Sequence, residues 1–177
     1  LLCGLASAAE ESLVERAQKG DSDSQFSVGY MYAIGDGVPK DTSEAAKWYR
    51  KAADHGVALA QFNLGLLYTQ GDGVPKDSAE AVKLWRMAAE QGVALAQYNL
   101  AVIYLNGQGV ARNPAAAAEW YLRAARQGHA KSQTSLGALH ADGIGVAQNY
   151  AEAMAWYRRA AEQGSADAQY ALGFLFD

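Results

Sequence analysis

The chain contains a single cysteine, Cys3, so neither an intrachain disulfide nor a thiolate metal cluster can form within it. It also lacks an excess of basic residues. Acidic and basic side chains are mixed along 177 residues to a net charge of -4, which removes the electrostatic footprint of a protein that binds nucleic acid or an anionic membrane. No stretch approaches the roughly 18 continuous apolar residues of a membrane span. The histidines, His55, His129 and His140, share no HExxH or other helical ligand spacing, so no metal is expected. The glycine pairs of GDGV, GQGV and GIGV are followed by no Gly-Lys-Ser/Thr and preceded by no strand, and no cofactor is expected either. Asp36 with Asp41, and Asp72 with Asp77, lack the ligand spacing of a calcium loop. Serines occur without a nucleophile elbow or a base partner, and carboxylates such as Glu80, Glu90 and Glu162 sit among Lys and Arg. No residue set therefore reads as catalytic.

What is present is repetition. AQFNLGLLYTQGDGVPKD, from Ala60 to Asp77, returns 36 residues later as AQYNLAVIYLNGQGVARN. Aligned on glycines, the chain divides into residues 21–56, 57–92, 93–128 and 129–164, with a half unit at 165–177. A fixed period of this size marks a solenoid, whose supersecondary unit buries its apolar face only against its neighbours. Half of the residues are hydrophobic, enough to supply such a core.

Within a unit the apolar residues follow a helical period. Ala58, Leu64, Gly65 and Tyr68 make the stripe of a first helix, and Ala81, Leu84, Trp85, Ala88 and Ala89 that of a second. Gly71 and Gly92 follow the two helices and suit the left-handed conformation past a helix end. Asp41, Asp77, Asn113 and Asn149 stand where the second helices need an N-cap, with Glu44, Glu80 and Glu152 three residues on as in a capping box. Pro114 fits the first helical position of the third unit. Gly29, Gly65, Ala101, Gly137 and Gly173 recur where paired helices cross, and Trp48, Trp85, Trp120 and Trp156 recur as core residues of the second helices. Arg50 with Asp54, Arg86 with Glu90 and Arg158 with Glu162 read as i,i+4 pairs on a solvated outer face.

The pattern A-x-x-x-L-G-x-x-Y-x-x-G-x-G-V followed by A-x-x-W-Y-x-x-A-A-x-x-G resembles the Sel-one-like repeat (SLR) family of the tetratricopeptide-like superfamily, from Asp21 to Asp177. His140 departs from the first-helix Tyr, Ala101 from the Gly, and Leu84-Trp85 shifts the Trp by one. The resemblance implies an all-α fold, a right-handed α-solenoid superhelix of antiparallel helix pairs whose first helices line the concave face. It also implies a non-catalytic scaffold or adaptor for proteins, of bacterial origin. A subgroup with a cysteine pair in each repeat is linked to penicillin binding and beta-lactamase activity, and the cysteine-free repeats here do not match it.

On that placement the concave face carries Phe26, Tyr30, Leu59, Phe62, Asn63, Leu66, Leu95, Tyr98, Asn99, Val102 and Lys131. Rings offer buried area at low entropic cost and carboxamides can bond a peptide backbone, so a protein or peptide ligand is the expected partner. The alternatives are a module that binds peptidoglycan or another glycan, and a beta-lactamase-like hydrolase. LLCGLASAAEE at the amino end reads as a signal-peptide remnant, which implies a periplasmic or secreted protein and otherwise a cytoplasmic one. Residues 1–20 then comprise this remnant and a capping helix near Glu10 to Gln18. Tyr170, Leu172, Phe174, Leu175 and Phe176 make a first helix without its second, read either as a repeat that continues or as an edge for self-association.

Overall fold

The computed structural model describes residues 12–176, which form ten α-helices and no strand. The expected signal-peptide remnant lies outside the described residues. The chain divides into two compact units, one running to Lys76 and the other starting at Asp77. Unit 1 holds α1 (Leu13–Gln18), α2 (Ser22–Ile34), α3 (Thr42–Asp54) and α4 (Ala58–Gln70), each packed on the next. Unit 2 holds α5 (Ser78–Glu90), α6 (Ala94–Asn106), α7 (Pro114–Arg126), α8 (Ala130–Asp142), α9 (Tyr150–Glu162) and α10 (Ala166–Phe176), again packed in order. Each unit is thus a run of antiparallel helix pairs, the α-solenoid arrangement that the 36-residue period predicts.

Composition separates the two kinds of helix. First helices such as ALAQFNLGLLYTQ are apolar around most of their circumference, whereas second helices such as TSEAAKWYRKAAD have one apolar stripe and a polar face. In unit 2, α6 lies against α5 and α7, and α8 against α7 and α9. Leu100 and Leu136 are fully buried there, each worth about 1.5–3 kcal/mol relative to an exposed side chain. Trp156 joins Tyr121, Leu136 and Leu139 in one core cluster. Trp48 and Trp120 are half-buried, with Lys51 and Arg123 lying over their rings.

Close approach needs glycine at two of the helix crossings. A methyl group on Gly29 would come within 2.8 Å of the Tyr49 ring, and one on Gly137 equally close to Tyr157. Gly71 ends α4 in the left-handed region at φ 72°, its N–H bonded to the Leu67 carbonyl.

The second-helix starts are capped as expected. Asp41 accepts from the Glu44 N–H, Asp77 from Ala79 and Glu80, Asn113 from Ala116, and Asn149 from Glu152. The reciprocal half of the capping box does not form at Asp41 or Asn149. Their own N–H groups go instead to the carbonyls of Tyr32 and His140 on the preceding helix, so the cap also ties the two helices together. A complete capping box stands at Ser12 and Glu15, which open α1. The outer face also differs from the expected pairing. Arg86 donates to the Tyr104 hydroxyl on the following helix rather than pairing with Glu90, because the guanidinium reaches an otherwise unpaired phenol. Arg50 makes the matching bond to Tyr68 at 2.7 Å.

Candidate functional site

In unit 1 α2 and α4 bring Tyr30, Asn63 and Leu66 around a cavity of about 280 Å³. Tyr49 and Leu67 are buried beneath it, and Lys40, Thr42, Gln70 and Asp72 complete the wall. Burial pushes the Tyr49 hydroxyl up to about 12, while a hydrogen bond with the Asn63 side chain pulls the other way. Asn63 and Tyr49 thus line the same cavity as neighbours. Thr42 Oγ1 donates to Asp72 Oδ1 at 2.7 Å, which fixes the opposite wall.

Not all of the expected surface in this unit is open. Tyr30 and Leu59 are about half exposed, at 49% and 51%. Phe26 is half-buried, its ring centroid 5.8 Å from that of Tyr49. Phe62 corrects the sequence reading: only 9% exposed, it belongs to the core and offers no free ring. On a helix apolar nearly all round, periodicity cannot separate an aromatic that packs inward from one that faces out. Tyr49, on a second helix and absent from the expected surface, is the residue that organises the cavity.

In unit 2 the half-buried Tyr98 lies between Tyr121, at 5.8 Å between centroids, and His129, at 5.1 Å. Burial raises the Tyr121 hydroxyl, opposed by a hydrogen bond with Ser135, which takes the place that Asn63 holds in unit 1. Leu95 is 49% exposed, Lys131 is exposed, and Asn99 and Val102 are half-buried. Sequence reasoning assigned His129 no part. It caps α8, with Nδ1 facing the Ser132 N–H at 3.3 Å and the Ser132 hydroxyl at 2.8 Å, so Nδ1 serves as acceptor in the neutral ring. Burial, and then the Lys131 charge, hold its pKa below the ordinary value. The clue was available in the first residues of the repeats, Asp21, Val57, Val93, His129 and Ser165, where polar residues able to cap interrupt two valines.

A second cavity in unit 2, about 540 Å³, lies against α8, α9 and α10. Tyr157 lines it, together with the exposed Tyr150, Tyr170 and Phe174. Of the other histidines, His55 caps the end of α3 with Nδ1 2.8 Å from the Lys51 carbonyl oxygen. His140 is half-buried, and its Nδ1 has no hydrogen-bond partner. Among the described residues no group of three or more His, Cys, Asp or Glu gathers as metal ligands do, and no helix is long and apolar enough to cross a membrane.

The Sel1 repeat model matches residues 22–57, 58–93, 94–129, 130–165 and 166–177. A protective antigen of uropathogenic Escherichia coli displaying an SLR fold is 40% identical, with a TM-score of 0.89 over 93% of this chain and 35% of that one. A Sel1 repeat protein from Oxalobacter formigenes is also 40% identical, with a TM-score of 0.80 over 88% of this chain and 63% of that one. The chain thus spans about a third of the first structure and under two thirds of the second. The cysteine-rich protein B of Helicobacter pylori shares the fold at 24% identity, with a TM-score of 0.60 over 75% of this chain and 96% of that one. No curated protein matches the chain in sequence.

Proposed function

The chain belongs to the Sel1 repeat family, and from that membership we propose that it is a non-catalytic adaptor holding a peptide or protein segment on the exposed side of its first helices. Repeats of this class serve in general as protein-interaction scaffolds, and the finer assignment rests on the cavity in unit 1. That cavity combines an exposed tyrosine, an aliphatic wall and a carboxamide beside a buried phenol, the mix of apolar area and polar groups that recognises a peptide. Leu59 and Leu95 extend the exposed apolar surface of their helices. The bacterial relatives support a bacterial origin.

The test is a crosslinking pull-down comparing the wild-type chain with a Tyr30→Ser, Leu59→Ser, Leu95→Ser variant whose helical content is checked by circular dichroism. Phe62 is left intact because its loss would probe the core. A protein captured by the wild type and lost by the folded variant supports the first-helix face. Equal capture by both removes that face from consideration, and capture of glycan alone favours the cell-wall alternative.

A further inference from the structure

We propose that unit 1 carries a second interaction surface, a groove between α3 and α4 that takes an acidic peptide segment bearing an apolar side chain. The groove encloses about 470 Å³. Ala46, Leu64 and Val74 supply its apolar lining and Lys47, Arg50 and Lys51 supply cations, with Ser43, Tyr68 and Gly73 completing the described lining. It is distinct from the cavity built on Asn63. Leu64 and Tyr68 of α4 border the groove, whereas Asn63, Leu66 and Gln70 border the cavity, and at 3.6 residues per turn the two sets lie roughly two fifths of a turn apart.

Each cation is held in place by a neighbour. Arg50 Nη2 donates to the Tyr68 hydroxyl at 2.7 Å, and Lys51 Nζ lies 3.9 Å from the centre of the Trp48 ring. Lys47 pairs with Glu44 outside the groove. A solvent-exposed pair of this kind contributes little and yields readily to an incoming carboxylate. Ordered cations over an apolar floor are complementary to Asp or Glu beside an aliphatic residue. A uniformly charged polyanion would leave that floor unused.

The other repeats show that the scaffold does not require this cluster. At the positions of Lys47, Arg50 and Lys51 they carry Lys83, Arg86 and Met87, then Glu119, Leu122 and Arg123, then Ala155, Arg158 and Arg159. Arg86 repeats the bond to a following tyrosine, so Arg50 has a structural task that recurs. Lys47 and Lys51 complete a fully cationic trio only in the first repeat, within a chain of net charge -4.

Selection of a random phage-displayed peptide library on the immobilised chain, followed by fluorescence anisotropy on the best synthetic peptide, tests the assignment. The expected consensus combines Asp or Glu with an aliphatic residue. Its affinity should fall about tenfold in Lys47→Ala, Lys51→Ala, weaken with added salt, and stay unchanged in Tyr30→Ser, Leu59→Ser. Both variants alter exposed side chains and leave the Arg50 to Tyr68 bond in place. Selected peptides without acidic residues, or equal binding to the lysine variant, overturn the groove. Loss of binding only in the Tyr30 and Leu59 variant overturns it while supporting the first-helix face. Tighter binding of an oligouridylate through the same lysines overturns the peptide assignment.

Discussion

Gln97 and Gln133 in unit 2 use both ends of their buried amides, whereas Gln25 in unit 1 uses one. Gln97 and Gln133 donate to the carbonyls of Ala89 and Ala125, eight residues back, and accept from Gln127 and Gln163, 30 residues ahead. Gln25 makes the backward bond to Ala17, but its Oε1 is buried without a partner. The residue 30 positions ahead of it is His55, whose ring turns to the Lys51 carbonyl instead. The difference shows how copies of one repeat diverge. The backward bond binds the first helix to the end of the preceding one, the forward bond depends on the residue that ends the next second helix, and one substitution there orphans a buried acceptor.

The units should respond alike where their packing is the same. Gly29→Ala and Gly137→Ala each force a methyl group onto a buried tyrosine ring, and each should cost about 3 kcal/mol in urea unfolding. A large gap between the two would mean that the crossings, and not only the amide relay, differ. Next in size is a change that the relay predicts to be unequal. Gln133→Met keeps volume but breaks two bonds and should cost about 2 kcal/mol, while Gln25→Met loses one bond and removes an orphan acceptor, for a change near zero. Equal losses would show that Oε1 of Gln25 is satisfied in solution.

A smaller gain is expected from His55→Gln, which restores the donor found at Gln127 and Gln163 and should stabilise unit 1 by about 1 kcal/mol. Unchanged stability would show that the orphaned amide carries no penalty. The smallest effect concerns the first-helix caps, Asp21 in unit 1 and His129 in unit 2. His129 has its pKa depressed by burial and Lys131, so the folded chain favours the neutral ring. Its stabilising contribution is complete above about pH 6.5 and is lost as pH falls from there through the depressed value, when Nδ1 can no longer accept. Asp21 is depressed by its hydrogen bonds with Ser24, and its contribution persists until pH falls below about 4. On lowering the pH from 7 to 5, hydrogen-exchange protection relative to the intrinsic rate should therefore fall at the start of α8 and not at the start of α2. His129→Asn should abolish that step, and its survival would assign the titration to another group.

Much of the fold was readable because its signals are local. The apolar period, the caps at Asp41, Asp77, Asn113 and Asn149, and the terminal Gly71 each act within about one helical turn, and each is where sequence reasoning put it. The surface was less readable. Tyr30, Leu59 and Leu95 are exposed and Phe62 is not, yet all four lie on helices whose apolar residues surround the axis. His129 was missed because its role lies in what it touches, Tyr98 and Ser132.

The sequence by itself determined a 36-residue helix pair, repeated, with its starts and stops, because capping, glycine conformation and amphipathic periodicity are short-range properties of the chain. Only the tertiary structure decided where the polar atoms point. Arg86 turns to Tyr104 rather than Glu90, the N–H of Asp41 goes to Tyr32 rather than Glu44, and Gln133 is satisfied by residues eight behind and 30 ahead. A buried or crowded donor takes the partner that packing brings within 3 Å or so, and that partner stands on another helix.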